Sequence, residues 1–324
     1  MTGAADDWRW MGTALALATR RIGRTTPNPS VGCVIARDGR VVGRGHTQDG
    51  GRPHAEAMAL AQAGKMAHGA TAYVTLEPCA HESARGPACA DGLIGAGVAR
   101  VVVAAPDPDP RTNGAGIARI SAAGIAVTSG VRRAEAEAGL AGFLTRLRHG
   151  RPHITLKLAV SLDGAIAMAD GRSRWITGAR MRAAAHLLRA RSDLIVVGRG
   201  TWDADAPTLD VRLPGLAALA PRIGIVGRSD GLPPHVTHFP DPAALCADPA
   251  LDVLVEGGMG LAASLLAADL VDTLVLHRAP ILIGAGRTLG DIGLADLAQA
   301  HRRWAAAPPV VLAPDRIERF TRIR

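Results

Sequence analysis

Four residues between positions 54 and 89 have the types and spacing of a metal site. His54 is followed by Glu56, then by Cys79 and finally by Cys89. One imidazole and two thiolates form a donor set that suits Zn²⁺. Three protein ligands leave the fourth tetrahedral position open, and an open position on zinc usually holds a water that takes part in chemistry. The pattern therefore predicts a catalytic zinc site with His54, Cys79 and Cys89 as ligands.

Glu56 has a separate role in this interpretation. Two residues beyond His54, its carboxylate can reach the zinc-activated water and move protons, the arrangement found in zinc deaminases. Residues two apart lie roughly 200° apart on an ideal helix, so both side chains reach one cleft only at a helix start. The alternative is a closed structural zinc, which needs a fourth ligand. His81 could supply it.

The surrounding sequence predicts the elements that carry these residues. Pro53 opens a helix that ends near Gly64 and holds His54 in its first turn. Pro87 opens a second helix, whose N-terminus favours the thiolate form of Cys89. The strands expected around these helices are Val31–Ala36, Arg40–Gly45, Thr71–Leu76, Val98–Ala105 and Ile125–Thr128. The other expected helices are Asp6–Ile22, Ala115–Ala123 and Arg132–Arg148.

Strands that alternate with helices predict an α/β fold with helices on both faces of a sheet. The run His149-Gly150-Arg151-Pro152 breaks the pattern, so we expect two domains, 1–149 and 150–324. A second α/β series follows, with a long polar connection from Trp202 to Pro221. Its expected strands are Ile154–Val160, Leu194–Gly198, Arg222–Val226, Asp252–Val255 and Thr273–His277, and its expected helices are Ala179–Ala190 and Leu261–Ala268.

One turn in the second half could bind a phosphate. The strand that ends in Glu256 leads through Gly257, Gly258 and Gly260 into a helix, where backbone amides and the helix dipole meet. Glu256 itself is either a capping residue or a ligand-binding carboxylate. Arg189 and Arg212 could hold a phosphate between two guanidinium groups.

Composition limits the classes of function. With 48% hydrophobic and 20% charged residues the chain is typical of a globular protein. Zinc thiolates and the lone Cys33 and Cys246 favour a reducing cytoplasm, and neither a signal peptide nor a membrane-spanning run is visible. The net charge of +8 raises the alternative of a nucleic-acid (tRNA or single-strand) deaminase with a degenerate C-terminal binding module. Dispersed arginines and 3% aromatic residues argue against it.

Over nearly its full length the chain resembles the bifunctional deaminase/reductase family of riboflavin biosynthesis. The motifs that carry the resemblance are Thr26-Pro27-Asn28-Pro29-Ser30-Val31-Gly32-Cys33-Val34-Ile35, His54-Ala55-Glu56, Thr75-Leu76-Glu77-Pro78-Cys79-Ala80-His81, Lys157-Leu158-Ala159-Val160-Ser161-Leu162-Asp163-Gly164, Trp175-Ile176-Thr177 and Val255-Glu256-Gly257-Gly258. The resemblance implies a cytidine-deaminase-like three-layer domain followed by a dihydrofolate-reductase-like α/β domain. It also implies a small-molecule pyrimidine substrate, no nucleic-acid or membrane partner, and a homo-oligomer.

The resemblance further implies two reactions. The first domain would use Zn²⁺ to remove the 2-amino group of 2,5-diamino-6-ribosylamino-4(3H)-pyrimidinone 5′-phosphate, with Glu56 as the proton shuttle. The second would reduce the ribosyl side chain to ribityl with NADPH, with Lys157 close to the reacting carbon. The implied substrate contacts are Asn28, His46, His81 and Arg85 in the first domain, and Ser173, Arg189, Leu209, Arg212 and Glu256 in the second. The implied NADPH contacts are Ala159, Trp175, Thr201, Asp205, Gly258, Met259 and Gly260.

The resemblance leaves one alternative open, that only one half is active. Before Pro207 the family pattern has a pair of acids, whereas this chain has Asp205 alone, followed by Ala206. This difference makes the reductase half the more vulnerable one.

Overall fold

The computed structural model describes residues 3–82 and 86–324, and the chain divides into two compact units, up to His149 and from Gly150 onward. The first unit contains a five-stranded sheet in the order β2-β1-β3-β4-β5. Its strands are β1 (Gly32–Arg37), β2 (Arg40–His46), β3 (Thr71–Leu76), β4 (Arg100–Ala105) and β5 (Ala126–Ser129). Its helices are α1 (Ala4–Ala18), α2 (Ala55–Ala63), α3 (Cys89–Gly95), α4 (Ala115–Ala122), α5 (Arg133–Gly139) and α6 (Ala141–His149). Strand β1 is antiparallel to both β2 and β3, whereas β3, β4 and β5 are parallel.

Two glycines show that helices cover both faces of this sheet. A Cβ atom on Gly32 would lie 1.9 Å from the carbonyl oxygen of Ala14 in α1, and one on Gly45 would lie 2.2 Å from that of Ala55 in α2. Gly45 pairs with Cys33, the residue after Gly32. Successive strand residues face opposite sides, so α1 and α2 lie on opposite faces. The expected three-layer fold of the first unit is confirmed.

The second unit is built on a nine-stranded mixed sheet in the order β12-β14-β11-β6-β10-β7-β8-β9, with β13 also paired to β14. Its strands are β6 (His153–Val160), β7 (Leu194–Gly198), β8 (Arg222–Val226), β9 (Val236–Phe239), β10 (Asp252–Glu256), β11 (Thr273–Arg278), β12 (Trp304–Ala306), β13 (Val310–Leu312) and β14 (Asp315–Arg322). Its helices are α7 (Ala179–Ala190), α8 (Arg199–Asp205) and α9 (Met259–Ala267). From β11 to β9 the neighbours are parallel, and β14 runs antiparallel to β11.

Successive side chains of the central strands β6 and β10 face opposite sides of the sheet, a hydrophobic core on one side and charged residues on the other. Leu156 and Leu158 of β6 are buried with Val255 of β10 in the hydrophobic cluster that also contains residues of α9. Lys157 lies between those two leucines and pairs with Glu256. Because neighbouring strand residues face opposite sides of a sheet, Lys157 and Glu256 lie together on the face opposite this core.

Several elements differ from the sequence-based expectation. The first helix ends at Ala18 and not at Ile22, because the Ser30 hydroxyl donates to the Ala18 carbonyl at 2.7 Å and so satisfies one helix-end acceptor. The single helix expected over Arg132–Arg148 is two helices, α5 and α6, which meet at Leu140 just after Gly139, a poor helix former. The connection from Trp202 onward begins inside α8. Strands β9, β12, β13 and β14 were not predicted.

None of the helices described in 3–82 and 86–324 is long and apolar enough to cross a membrane.

Candidate active sites

The three expected zinc ligands converge in the first unit. His54 is the N-cap of α2, Cys79 follows the end of β3, and Cys89 is the first residue of α3. The Nδ1 atom of His54 lies 3.2 Å from Sγ of Cys89 and 3.7 Å from Sγ of Cys79, and all three atoms lie within 4.8 Å of one another. Within the described parts of the chain this is the one group of histidine, cysteine and acidic side chains with such spacing.

These donors fit a zinc ion. Zinc binds sulfur at about 2.3 Å and nitrogen at about 2.0 Å, which places tetrahedral ligand atoms roughly 3.5–3.8 Å apart. The distances from His54 to the two sulfurs lie close to this range. The backbone amide of Cys89 donates to Sγ of Cys79 at 3.3 Å and fixes one sulfur in place. The pKa of Cys79 is lowered to about 4, chiefly by a hydrogen bond from the Cys89 thiol, whose own pKa is raised by Cys79 and by burial, so one of the two sulfurs readily carries a negative charge.

Glu56 lies beside this group on α2. Its side chain is buried, and burial raises the pKa of its carboxyl, although His54 lowers it in part. His54 has extended backbone angles, φ −70° and ψ 162°, so it precedes the first turn in which the sequence placed it. Because the backbone of His54 is not helical, its imidazole and the Glu56 carboxylate can both face one cleft.

A cavity of about 450 Å³ opens beside these residues. His54, Glu56 and Cys89 line one part of it, and the rest is mainly apolar, with Leu60 of α2 and Gly92 of α3 among the lining residues. This size is typical of a cavity for a small molecule.

The other residues expected at this site have varied positions. Nδ2 of Asn28 donates to the Gly51 carbonyl at 2.9 Å and lies 3.1 Å from Nε2 of His54. Nδ1 of His46, at the end of β2, lies 3.0 Å from the Gln48 amide. His81 points its Nδ1 at the Thr112 hydroxyl, 3.5 Å away, and is not part of the metal group, which argues against a closed structural site. Arg85 lies outside the described residues.

In the second unit, Glu256 connects two cations on the sheet face opposite the hydrophobic core. Its carboxylate accepts hydrogen bonds from Nε and Nη2 of Arg189 at 2.8 and 3.0 Å, and it lies 3.6 Å from Nζ of Lys157. All three side chains are at most 15% exposed. Glu256 is therefore a partner of these cations, and the alternative of a helix cap is wrong.

The charges of this cluster are mutually dependent. Burial alone would raise the pKa of Glu256, but Lys157 and Arg189 outweigh burial and lower the pKa to about 2. His277, on the neighbouring strand β11, is buried, and burial with the nearby Lys157 lowers its pKa to about 3. Near neutral pH this layer therefore holds a carboxylate, its partner cations and a neutral imidazole.

The glycine turn after β10 leads directly into α9. The Gly258 amide donates to the Thr201 hydroxyl at 3.1 Å, so two of the expected NADPH contacts lie together. Gly258 is the N-cap of α9, and Met259 and Gly260 form its first turn. Amides at such a helix start can bind a phosphate.

Several other residues expected to contact the substrate or NADPH lie near one another or pair with residues of the site. Arg174 donates to the Asp205 carbonyl at 2.9 Å and so connects the segments of Trp175 and Asp205. Trp175 is 66% exposed, with the guanidinium of Arg182 4.7 Å from its ring centre. Ser173 is exposed nearby, and Ala159 pairs with His277.

The two arginines expected to hold a phosphate both contact Asp210. Arg189 donates to its carbonyl at 3.0 Å, and Nε of Arg212 lies 3.2 Å from its carboxylate. Leu209 is buried in a hydrophobic cluster with Ile195, so only its backbone can contact a ligand. A phosphate at this place would compete with Asp210 for the arginines.

Comparison with known proteins divides the chain into two parts that correspond to its two units. The profile of the cytidine and deoxycytidylate deaminase zinc-binding region matches residues 4–105, and that of the RibD C-terminal domain matches residues 152–306. The chain is 42% identical to the riboflavin biosynthesis protein RibD of Escherichia coli, over 86% of this chain and 89% of the relative. It is 39% identical to RibD of Mycobacterium tuberculosis over 94% of both chains.

The chain belongs to the RibD family. The structure of RibD from Acinetobacter baumannii superposes with a TM-score of 0.88 at 35% identity, covering 99% of this chain and all of that one. A diaminohydroxyphosphoribosylaminopyrimidine deaminase/5-amino-6-(5-phosphoribosylamino)uracil reductase of Thermotoga maritima gives a TM-score of 0.88 at 29% identity, with 99% of each chain covered. The fold class expected from the sequence is confirmed.

Like other RibD proteins, the chain is a bifunctional riboflavin biosynthesis enzyme with a deaminase and a reductase part. Its cofactors are zinc for the deaminase and NADPH for the reductase. The nucleic-acid alternative is not supported.

Sequence reasoning missed the loop that follows β4. The Glu77 carboxylate accepts backbone hydrogen bonds from Asp107, Gly114 and Gly116, at 3.1 to 3.3 Å, and so fixes this loop beside Cys79. Burial raises the pKa of Asp107 to about 6. The signal was present as Asp-Pro-Asp-Pro directly after a buried strand, a place where parallel sheets collect functional side chains.

Proposed function

We propose that residues 1–149 remove the 2-amino group of 2,5-diamino-6-ribosylamino-4(3H)-pyrimidinone 5′-phosphate, and that residues 150–324 reduce the ribosyl side chain of the product to ribityl. The grouping of His54, Cys79 and Cys89, beside a cavity that His54, Glu56 and Cys89 line, is the observation that carries the first reaction. The similarity to the Thermotoga maritima deaminase/reductase supports both reactions.

In the first unit, His54, Cys79 and Cys89 would hold zinc, and Glu56 would move protons. When bound, zinc supplies the Lewis acidity that activates a water. Glu56 would accept a proton from the attacking water and deliver it to the leaving amino group. Burial raises the pKa of its carboxyl, and a raised pKa favours the protonated form from which the proton is delivered.

Substrate recognition in the first unit would come from the residues that the resemblance assigns to it. Asn28 lies against His54 and can reach a ring that faces the metal group. We assign the remaining contacts with the pyrimidine and its phosphate to His46, His81 and Arg85.

In the second unit, Lys157 would lie beside the reacting carbon of the ribosyl chain. NADPH supplies the hydride when bound. The ion pairs of Glu256 hold Lys157 and Arg189 in place before the substrate binds. We assign the other substrate contacts to Ser173, Leu209 and Arg212. The cofactor would be bound by Ala159, Trp175, Thr201, Asp205, Gly258, Met259 and Gly260.

We also propose that the protein acts in the cytoplasm as a homo-oligomer without nucleic acid. Two metal-binding thiolates, with all four cysteines free, suit a reducing compartment. Val310 and Val311 of β13 are 55% and 71% exposed, and exposed apolar side chains on a sheet favour contact with another chain. Light scattering of the purified protein tests the oligomer, and a mass equal to that of one chain would contradict it.

The test of the two activities is product analysis with and without cofactor. The purified protein is incubated with the diaminopyrimidinone ribotide, once alone and once with NADPH, and the products are analysed by mass spectrometry. We expect the deaminated compound alone in the first sample and the deaminated, reduced compound in the second. Deamination without reduction in both would contradict an active second unit.

A further inference from the structure

Arg52 lines the same cavity as the metal group, two residues before His54. Its side chain is half-buried. No carboxylate in the described segments forms an ion pair with it, whereas other arginines near the two sites are paired. Arg111 contacts Asp109, and Arg189 contacts Glu256. The guanidinium of Arg52 therefore keeps its donors available at the edge of the cavity.

The guanidinium reaches the far side of the cavity. A Cβ atom on Gly86 would lie 3.2 Å from Nη1 of Arg52, so this nitrogen lies next to the backbone that leads into α3. Arg52 itself precedes α2, the helix on the other side of the cavity. Its side chain thus extends between the two segments that supply His54 and Cys89.

The other residues that line the cavity indicate which ligand the Arg52 guanidinium would bind. His54, Glu56 and Cys89 also line this cavity, and the other lining side chains are apolar, among them Pro53, Leu60 and Pro87. A pyrimidine ring bound at the metal end would need a cation for its phosphate, and a guanidinium can bind phosphate through two parallel hydrogen bonds. We propose that Arg52 binds the 5′-phosphate of the deaminase substrate.

This inference rests on the proposed deaminase reaction and adds a residue that selects phosphorylated substrates. It predicts a change in substrate binding with little change in the chemical step, because the phosphate is remote from the carbon that loses its amine. Loss of such uniform binding raises KM and leaves kcat unchanged.

The test compares Arg52→Ala and Arg52→Lys with the wild-type enzyme on the ribotide and on its dephosphorylated counterpart. We expect Arg52→Ala to raise KM for the ribotide roughly 10- to 100-fold, the range of one hydrogen-bonded charge, at similar kcat. Arg52→Lys should restore part of the affinity. On the dephosphorylated compound, Arg52→Ala and wild type should have the same KM. Arg44→Ala is the matched control, since Arg44 is exposed on β2 and does not line the cavity.

Four outcomes would overturn the proposal. An unchanged KM of Arg52→Ala for the ribotide would show that the phosphate does not contact this residue. An equal loss on both compounds, or a loss of bound zinc, would show a structural role. Wild-type enzyme that bound zinc but deaminated neither compound would contradict the deaminase function itself, and the role of Arg52 with it.

Discussion

The two sites of this chain are organised by different forces. At the metal site, His54, Cys79 and Cys89 are brought together because three backbone elements begin or end at one place, and a bound cation would stabilise both sulfurs as thiolates. At the second site, Glu256 is already neutralised by Lys157 and Arg189. The first site would thus depend on a bound ion for its charge balance, whereas at the second site two cations already compensate the Glu256 carboxylate before a cofactor binds.

The contrast extends to the two buried glutamates. Burial raises the pKa of Glu56, which suits a residue that exchanges protons. The cations around Glu256 hold its pKa at about 2, which suits a residue that stays ionised and positions others. A neutral glutamine should therefore have opposite consequences at the two positions, strong for catalysis at one and strong for stability at the other.

The largest expected effect is on deamination. Glu56→Gln should lower kcat roughly 10²- to 10⁴-fold, the usual contribution of a general acid-base residue, while bound zinc and the reductase rate stay the same. Deaminase kinetics and metal analysis of the purified variant test this. A variant that deaminates at the wild-type rate would exclude Glu56 as the proton shuttle.

Removal of zinc should likewise affect the deaminase activity and leave the reductase activity unchanged. Chelation, or Cys79→Ser, should abolish deamination, because a three-ligand site loses a defining ligand, and should leave NADPH-dependent reduction of the deaminated substrate intact. The control is re-addition of zinc to the chelated wild type, which should restore deamination. Loss of both activities on chelation would mean that the metal also supports the second unit.

The stability effect should be larger in the second unit. Glu256→Gln leaves two buried cations without their carboxylate and should lower the free energy of unfolding of that unit by about 3 kcal/mol. Glu56→Gln should leave stability unchanged or raise it, because it removes a carboxylate that burial disfavours. Urea unfolding of both variants measures the difference. Equal destabilisation would refute the contrast between the two glutamates.

The smallest expected effect is on the pH dependence of the stability of the second unit. A glutamate whose pKa is lowered on folding contributes stability above its unfolded pKa, and this contribution is lost as the pH falls through the folded value. For Glu256 the loss should occur between about pH 4.5 and about pH 2. Glu256→Gln should flatten that part of the stability curve, and a curve parallel to the wild type would argue against the ion pair.

Local sequence signals predicted the elements that carry the first site. Pro53 and Gly64 marked the helix that begins after His54, and the apolar run before Glu77 marked β3. These elements depend on nearby residues, such as glycine at a helix end, and so can be read from a short stretch. The resemblance gave the fold of both units, which the comparisons confirm. The individual site residues remain predictions.

What the sequence did not reveal depends on distant contacts. The pairing of Arg189 with Glu256 joins residues 67 positions apart, and nothing local to either one indicates it. Strand β14 has only two apolar residues, Ile317 and Phe320, three positions apart, so it lacks the alternation typical of a strand. It becomes a strand through pairing with β11, β12 and β13. Strands stabilised mainly by such long-range pairing carry weak signals of their own.

The most direct test of two independent sites on one chain uses two single variants and one readout. Glu56→Gln and Lys157→Ala are each incubated with the diaminopyrimidinone ribotide and NADPH, separately and mixed, and the products are identified by mass spectrometry. We expect unchanged substrate from the first variant, only the deaminated compound from the second, and the deaminated, reduced compound from the mixture. Reduced product from Lys157→Ala alone, or none from a mixture of folded variants, would contradict the account.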